Sequence, residues 1–281
     1  MSVLKVRVDA VPVSVVVLVF CLQLWACTLP LGWTAAMAVV LVFFCGSVVS
    51  FQHHHNHCPT FHQRYLNETL DLIMGLQSGI TAYSWVLHHN IGHHGNFLEQ
   101  YPGTGKQPVD ASAWTREDGT CMGRWEYVWV NRLRMHSGCM KVAAKAKKIG
   151  RLYRKFRIIS WIVTAALLAV FGWQAVLIFI VLPQVMSLLT FEATYDHHSG
   201  LYTEEPMEGS RNITSRMYNL TRFNLGYHTA HHFKPGMHWS RLPELHAELK
   251  HHIPPALIEG DDGLVGSLLK GVFRPKPRTV A

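Results

Sequence analysis

The chain has 281 residues, 49% hydrophobic and only 16% charged, with a mean hydropathy of +0.10. This balance is unusual for a soluble domain and makes a membrane protein the first class to test. Its 9 Trp, 13 Phe and 9 Tyr exclude a disordered chain, and its 21 Gly and 13 Pro follow no period. The net charge of +8 is local, because eight basic residues and no acid lie between Lys141 and Arg157.

Two apolar runs open the chain, Val11 to Cys27 and Leu31 to Phe51, separated by Pro30. Each is near the ~20 residues that cross a hydrocarbon core, and the second follows too soon for the first to be a cleaved signal. A second pair, Ile158 to Phe171 and Trp173 to Phe191, is joined around Gly172. Four spans are expected, at about 11–28, 31–51, 157–171 and 173–191, arranged as two helical hairpins of an all-α membrane protein. Leu70 to Leu87 is interrupted by Asp71, Gly75, Gln77, Ser78 and Gly79, which suits an interfacial or re-entrant helix better than a crossing.

Lys5, Arg7 and the basic run flank the spans on the side away from the short links, which the positive-inside bias assigns to the cytoplasm. The segments 52–156 and 192–281 then form one cytoplasmic cap, and the whole chain reads as a single domain. Leu264, Val265, Leu268, Leu269 and Val272 recur at helical spacing, consistent with a short amphipathic helix near the C-terminus. The six cysteines form no C-x-x-C pair and read as reduced thiols.

The 19 histidines fall into tight clusters on the cap side. HHHNH runs from His53 to His57, HHNIGHH from His88 to His94, and HTAHH from His228 to His232. On an α-helix, positions i, i+3 and i+4 share a face, so His53 with His57, His89 with His93, and His228 with His231 and His232 can each point at one centre. Imidazole with few carboxylates nearby suits iron, copper, zinc or nickel rather than calcium or magnesium. The candidates His53, His57, His89, His93, His94, His228, His231 and His232 exceed the four ligands of one tetrahedral zinc, so two ions are the economical reading. His62, His136, His246, His251 and His252 read as ordinary surface or core residues.

These three boxes, of the forms H-x(3)-H, H-x(3)-H-H and H-x(2)-H-H, resemble those of the integral-membrane fatty acid desaturase and hydroxylase superfamily. HCPTF (His57 to Phe61), SRN (Ser210 to Asn212) and NLGYHTAHHFKPGMHWSRLPELH (Asn224 to His246) are similar to stretches of bacterial fatty acid desaturases. The resemblance implies a centre of two irons that activates O2, with one more ligand histidine before the third box. Counting back from SRN favours His198 for that ligand, with His197, Thr194, Asn224 and His238 placed behind the ligands. Thr194 is a departure, since related enzymes often carry asparagine there.

The implied activity is oxidation of an acyl chain, most simply introducing a double bond, with hydroxylation or formation of a terminal alkene or alkyne as alternatives. Breaking an unactivated C–H bond needs a cofactor-derived oxidant. The chain has no cytochrome b5 or rubredoxin motif, so an external donor of the ferredoxin, rubredoxin or cytochrome b5 type is implied. Tyr83, Trp85 and Trp125 are candidate tunnel residues, though core packing is the plainer role. A zinc hydrolase is disfavoured because H-E-x-x-H is absent. The basic run reads as a topological signal that also suits anionic lipid or an acidic donor protein, not nucleic acid.

Overall fold

The computed structural model describes residues 2–260; the amphipathic segment expected around Leu264 to Val272 lies outside them. The described chain is mostly helical and divides into two compact units. Among the described residues, the first comprises 2–87 with Cys139–Leu189, and the second His88–Gly138 with 190–260.

In the first unit, α1 (Ala10–Ala26) accepts Pro12 in its first turn, where no backbone N–H is needed. Its connection to α2 (Leu31–His57) is closed by Thr34, whose hydroxyl donates to the carbonyls of Ala26 (3.0 Å) and Leu29 (3.2 Å). The helix α2 does not stop where its apolar stretch ends at Phe51. It continues through Gln52 to His57 because α3 (Arg64–Ser78) supplies partners for its polar end. Gln52 donates to Ile80 O (2.9 Å) and accepts from Ser78 Oγ (2.7 Å), while Asn56 donates to Asp71 Oδ1 (3.0 Å). An N-terminal strap adds a further hold, with Lys5 N on Thr60 O (2.9 Å) and Thr60 Oγ1 at 2.8 Å from His55 Nδ1.

The stretch expected as one helix over Leu70 to Leu87 is broken. Gly79 ends α3 at φ +72, and a side chain there would overlap the Pro183 carbonyl, so the break requires glycine. Helix resumes as a wider, π-type turn at Trp85–Ile91. Tyr83, between the two, donates to Glu68 (2.8 Å) and packs on Phe156, and Trp85 is buried against His53.

Among the described residues, three helices are long and apolar enough to cross a membrane: Arg7–Ala26, Leu31–His57 and Trp173–His198, with mean hydropathies of 2.1, 2.2 and 2.0. The last of these is α6. The fourth expected span is part of α5 (Lys147–Phe171), whose basic first half carries Arg154, Lys155 and Arg157 and leaves an apolar remainder short of a full crossing by composition. The chain leaves α5 at Gly172, φ +59.

The second unit holds the second and third histidine boxes. The long helix α4 (Arg124–Lys145), most of which lies in this unit, was not evident from hydropathy. Trp125 is 63% exposed on it, so core packing is not its role. Among the described residues, the α-helices that lie wholly in this unit are short: α7 (Arg216–Thr221), α8 (His228–Phe233) and α9 (Leu242–Leu249). Strands β1 (Asn212–Ile213) and β2 (Ile258–Glu259) pair in parallel, beside a small core of Leu201, Ile253 and Leu257.

Burial pushes the Asp71 carboxyl up to about 6, against 3.8 ordinarily, despite hydrogen bonds from Asn56 and Gln52. The folded protein therefore holds a proton that the unfolded chain has lost between about pH 4 and 6, and stability falls as pH rises through that window. We expect Asp71→Asn to melt above the wild type at pH 7, by an amount on the order of 3 kcal/mol, with the gap closing below pH 4. Thermal denaturation in detergent across this range checks it, and a gap independent of pH would show that the buried charge is not the cause.

Candidate metal centre

The second box occupies the π-type turn and its continuation, where the wider register changes which histidines meet. The amides of His93 and His94 both reach the His89 carbonyl, at 3.1 and 2.9 Å. An i, i+5 repeat brings residues five apart onto one face. His89 and His94 accordingly place their Nε2 atoms 3.0 Å apart, and His231 Nε2 lies 3.0 Å from that of His94. His93 turns to a different set: its Nε2 is 3.3 Å from His198 Nε2, which is 3.0 Å from His228 Nε2. The expected pairing of His89 with His93 therefore gives way to His89 with His94.

Helix α8 divides the third box in the same manner. His228 and His232, four apart, stay together with ring centroids 4.7 Å apart, while His231 joins His89 and His94. Within the second unit, His93, His198 and His232 offer ligand atoms all within 4.8 Å of one another, and so do His89, His94 and His231. In the first unit, His53 and His57 lie one turn apart on α2 with centroids at 5.3 Å. His54 and His55 share that helix, and His88 packs edge-on against Phe191 at 5.8 Å.

Hydrogen bonds behind these rings settle which nitrogen faces inward. His93 Nδ1 meets Asp110 Oδ1 at 2.9 Å, His198 Nδ1 meets Gly209 O at 2.9 Å, and His197 Nδ1 meets Arg211 O at 3.0 Å. Carbonyl and carboxylate oxygens only accept, so Nδ1 carries a proton, and in the neutral ring Nε2 presents a lone pair. The Nε2 lone pairs of His93 and His198 then face each other across 3.3 Å, a contact that repels without a cation to share. Two nitrogens about 2.1 Å from one ion and at right angles to it are about 3.0 Å apart. Both ring nitrogens of His232 are buried without a hydrogen-bond partner. Burial first, and neighbouring imidazoles second, hold His228 and His232 well below the ordinary histidine range, hence neutral and able to ligate. The donor set fits a nitrogen-loving transition ion.

The elements bearing these rings are tied together by SRN. Arg211 caps the end of α6, its amide on His197 O (2.9 Å) and its guanidinium on Asp196 O (3.2 Å) and Ser199 O (2.9 Å). Ser210 and Asn212 grip Thr229 of α8 through its hydroxyl, each at 2.8 Å, and Asn212 Oδ1 accepts from its amide at 3.1 Å. Arg124 ion-pairs with Glu192 and Asp196 on α6, with Tyr195 beneath its guanidinium. His197 stacks on His228 at 4.0 Å.

The other residues expected behind the ligands have local partners. Thr194 donates to Thr190 O (3.0 Å), Asn224 donates to Trp239 O (3.2 Å) from φ +62, and His238 Nδ1 accepts from Ser240 N (3.3 Å). Asp110, Arg124 and the Gly209 carbonyl were missed by sequence reasoning, because no spacing motif marks a partner brought in by a loop.

The family model for fatty acid desaturases matches residues 11–259. The chain belongs to the fatty acid desaturase family. No curated protein matches it. Membership makes the protein a membrane-associated oxidoreductase of fatty acid metabolism, with iron-dependent catalysis implied, and the histidine groups supply residues that could bind the metal.

Gly226 precedes the third box where a Cβ would overlap the Ile213 carbonyl and Asn219 Oδ1. We expect Gly226→Ala to displace α8, lowering stability by about 1–3 kcal/mol and bound metal with it. Gly236→Ala, in open space nearby, is the control and should match the wild type in melting temperature and metal content.

Proposed function

We propose that this family member is an O2-dependent acyl-chain desaturase holding two iron ions, and that it introduces a carbon–carbon double bond into a fatty acid or acyl lipid. The observation that carries this reading is the pair of all-imidazole groups in the second unit, His89, His94 and His231 beside His93, His198 and His232. His228 joins the second group, and the family's box pattern makes His53 and His57 ligands as well. When bound, the two irons supply from O2 an oxidant strong enough to take hydrogen from an unactivated C–H bond.

The residues themselves do the positioning. Asp110, Gly209 and Arg211 hold Nδ1 protons and so aim Nε2 of His93, His198 and His197. Burial keeps His228 and His232 neutral and excludes water that would otherwise quench the oxidant. Arg124 and Arg211 fix the end of α6 so that His198 keeps its angle.

The reading further places four spans across the bilayer as two hairpins, with α5 contributing the fourth and its basic half facing the cytoplasm. The histidines then lie on the cytoplasmic side, the acyl chain enters from the lipid, and electrons arrive from a separate ferredoxin, rubredoxin or cytochrome b5 type protein.

Purified full-length protein should contain close to two irons per chain and consume O2 only with an acyl substrate and a reductant, yielding an alkene by mass spectrometry. His232→Ala should hold about half the wild-type iron and lose turnover by at least the roughly 100-fold that loss of a group supporting a ligand can cost. An alcohol as the sole product would make the protein a hydroxylase, a terminal alkene or alkyne would reassign the position of attack, and turnover with zinc in anaerobic buffer would overturn the reading.

A further inference from the structure

The loop between the second box and α4 folds back on the box it leaves. Ala111 N donates to Gly92 O (3.0 Å) and Val109 N to Glu99 O (3.1 Å), which delivers Asp110 beneath His93. The Asp110 side chain is 0% exposed and that of His93 1%. Oδ1 accepts from His93 Nδ1 (2.9 Å) and from the Ser112 amide (2.8 Å), and Oδ2 accepts from Gln100 Nε2 (2.6 Å) with His93 Nδ1 at 3.1 Å.

Gln100 is fixed in turn, its Oε1 on the Trp114 amide (3.0 Å) and its carbonyl on the Thr115 hydroxyl. Two of the three donors that face Asp110 are neutral amides, and the third is His93. A fully buried carboxylate is costly without a compensating positive charge. His93 can convey one only through what its other nitrogen holds. The acceptors behind His198 and His197 are, by contrast, uncharged backbone carbonyls.

We propose that Asp110 is a positioning residue that fixes the Nε2 lone pair of His93 and, by its negative charge, strengthens the hold on the ion shared by His93, His198 and His232, with no direct part in holding the ion of His89 and His94. The inference rests on the two-ion reading of the site. A carboxylate behind a ligating imidazole raises the basicity of the ligand and locks its tautomer, and removing such a partner typically costs about 10- to 100-fold in metal affinity.

The test is an anaerobic titration of the full-length apoprotein with Fe2+, and with Co2+ for its ligand-field spectrum. The wild type should take up two ions. Asp110→Asn retains an acceptor for Nδ1 but removes the charge, so one ion should bind about 10- to 100-fold more weakly with an altered Co2+ spectrum while the other is unchanged. Asp110→Leu should bind one ion, and Asp110→Glu should recover part of the second. The retained ion and a cooperative melting transition report that each variant is folded, and Asp110→Asn carries the test where the leucine variant does not fold. Wild-type affinity and spectrum for both ions in Asp110→Asn would overturn the inference and leave the two-ion reading standing, as would equal weakening of both ions in a folded variant. A wild type that takes up no metal would overturn both.

Discussion

Imidazole lone pairs brought face to face in a dry interior are the constraint on which the second unit depends. His93 and His198 each commit Nδ1 to an oxygen that can only accept, so their Nε2 atoms meet as two acceptors. Two acceptors that face each other in a low-dielectric interior repel, at a cost in free energy. The arrangement therefore persists only if an ion repays that cost or the surrounding packing enforces it, and this fold uses packing heavily. The Arg211 cap, the Ser210 and Asn212 grip on Thr229, and the Arg124 ion pairs hold the ends of α6 and α8 in place whether or not a ligand is bound. A site built in this way is preorganised, and its metal affinity adds to the stability of the unit.

The division of histidines between the two groups follows from helix pitch. A regular α-helix keeps i and i+4 together, as His228 and His232 are kept on α8, and as His53 and His57 are kept on α2. The π-type turn adds a residue to the repeat, pairs His89 with His94, and frees His93 to join His198. Adjacent residues in one box thus serve different groups, and a one-residue change in register would exchange them.

Much of this was legible in the sequence. Hydropathy located α1, α2 and α6, and the second and third boxes marked histidines that converge within the second unit. What the sequence hid was set by tertiary context. An apolar-run criterion ended the second span at Phe51, yet α2 runs on to His57 because Gln52 and Asn56 find partners on and after α3. Leu70 to Leu87 read as one helix until Pro183 closed on Gly79 and required a break. Helical spacing assumed an α repeat for the second box, and no local signal announced the wider turn. Asp110 was invisible for the reason that most supporting groups are: its role depends on a loop that returns to His93, not on its distance along the chain.

The same burial serves two chemical ends at once. Imidazoles must be neutral to ligate, and desolvation keeps His228 and His232 neutral far below the pH at which an exposed histidine would take up a proton. Oxidation of a C–H bond must also proceed without water competing for the oxidant, and the rings that would hold the metal are almost all buried. A solvated site could meet neither demand at acidic pH, since protons would compete for the nitrogens and water for the oxidant. Holding these rings at helix ends and in turns tied by side-chain hydrogen bonds, rather than on loose loops, favours that dryness.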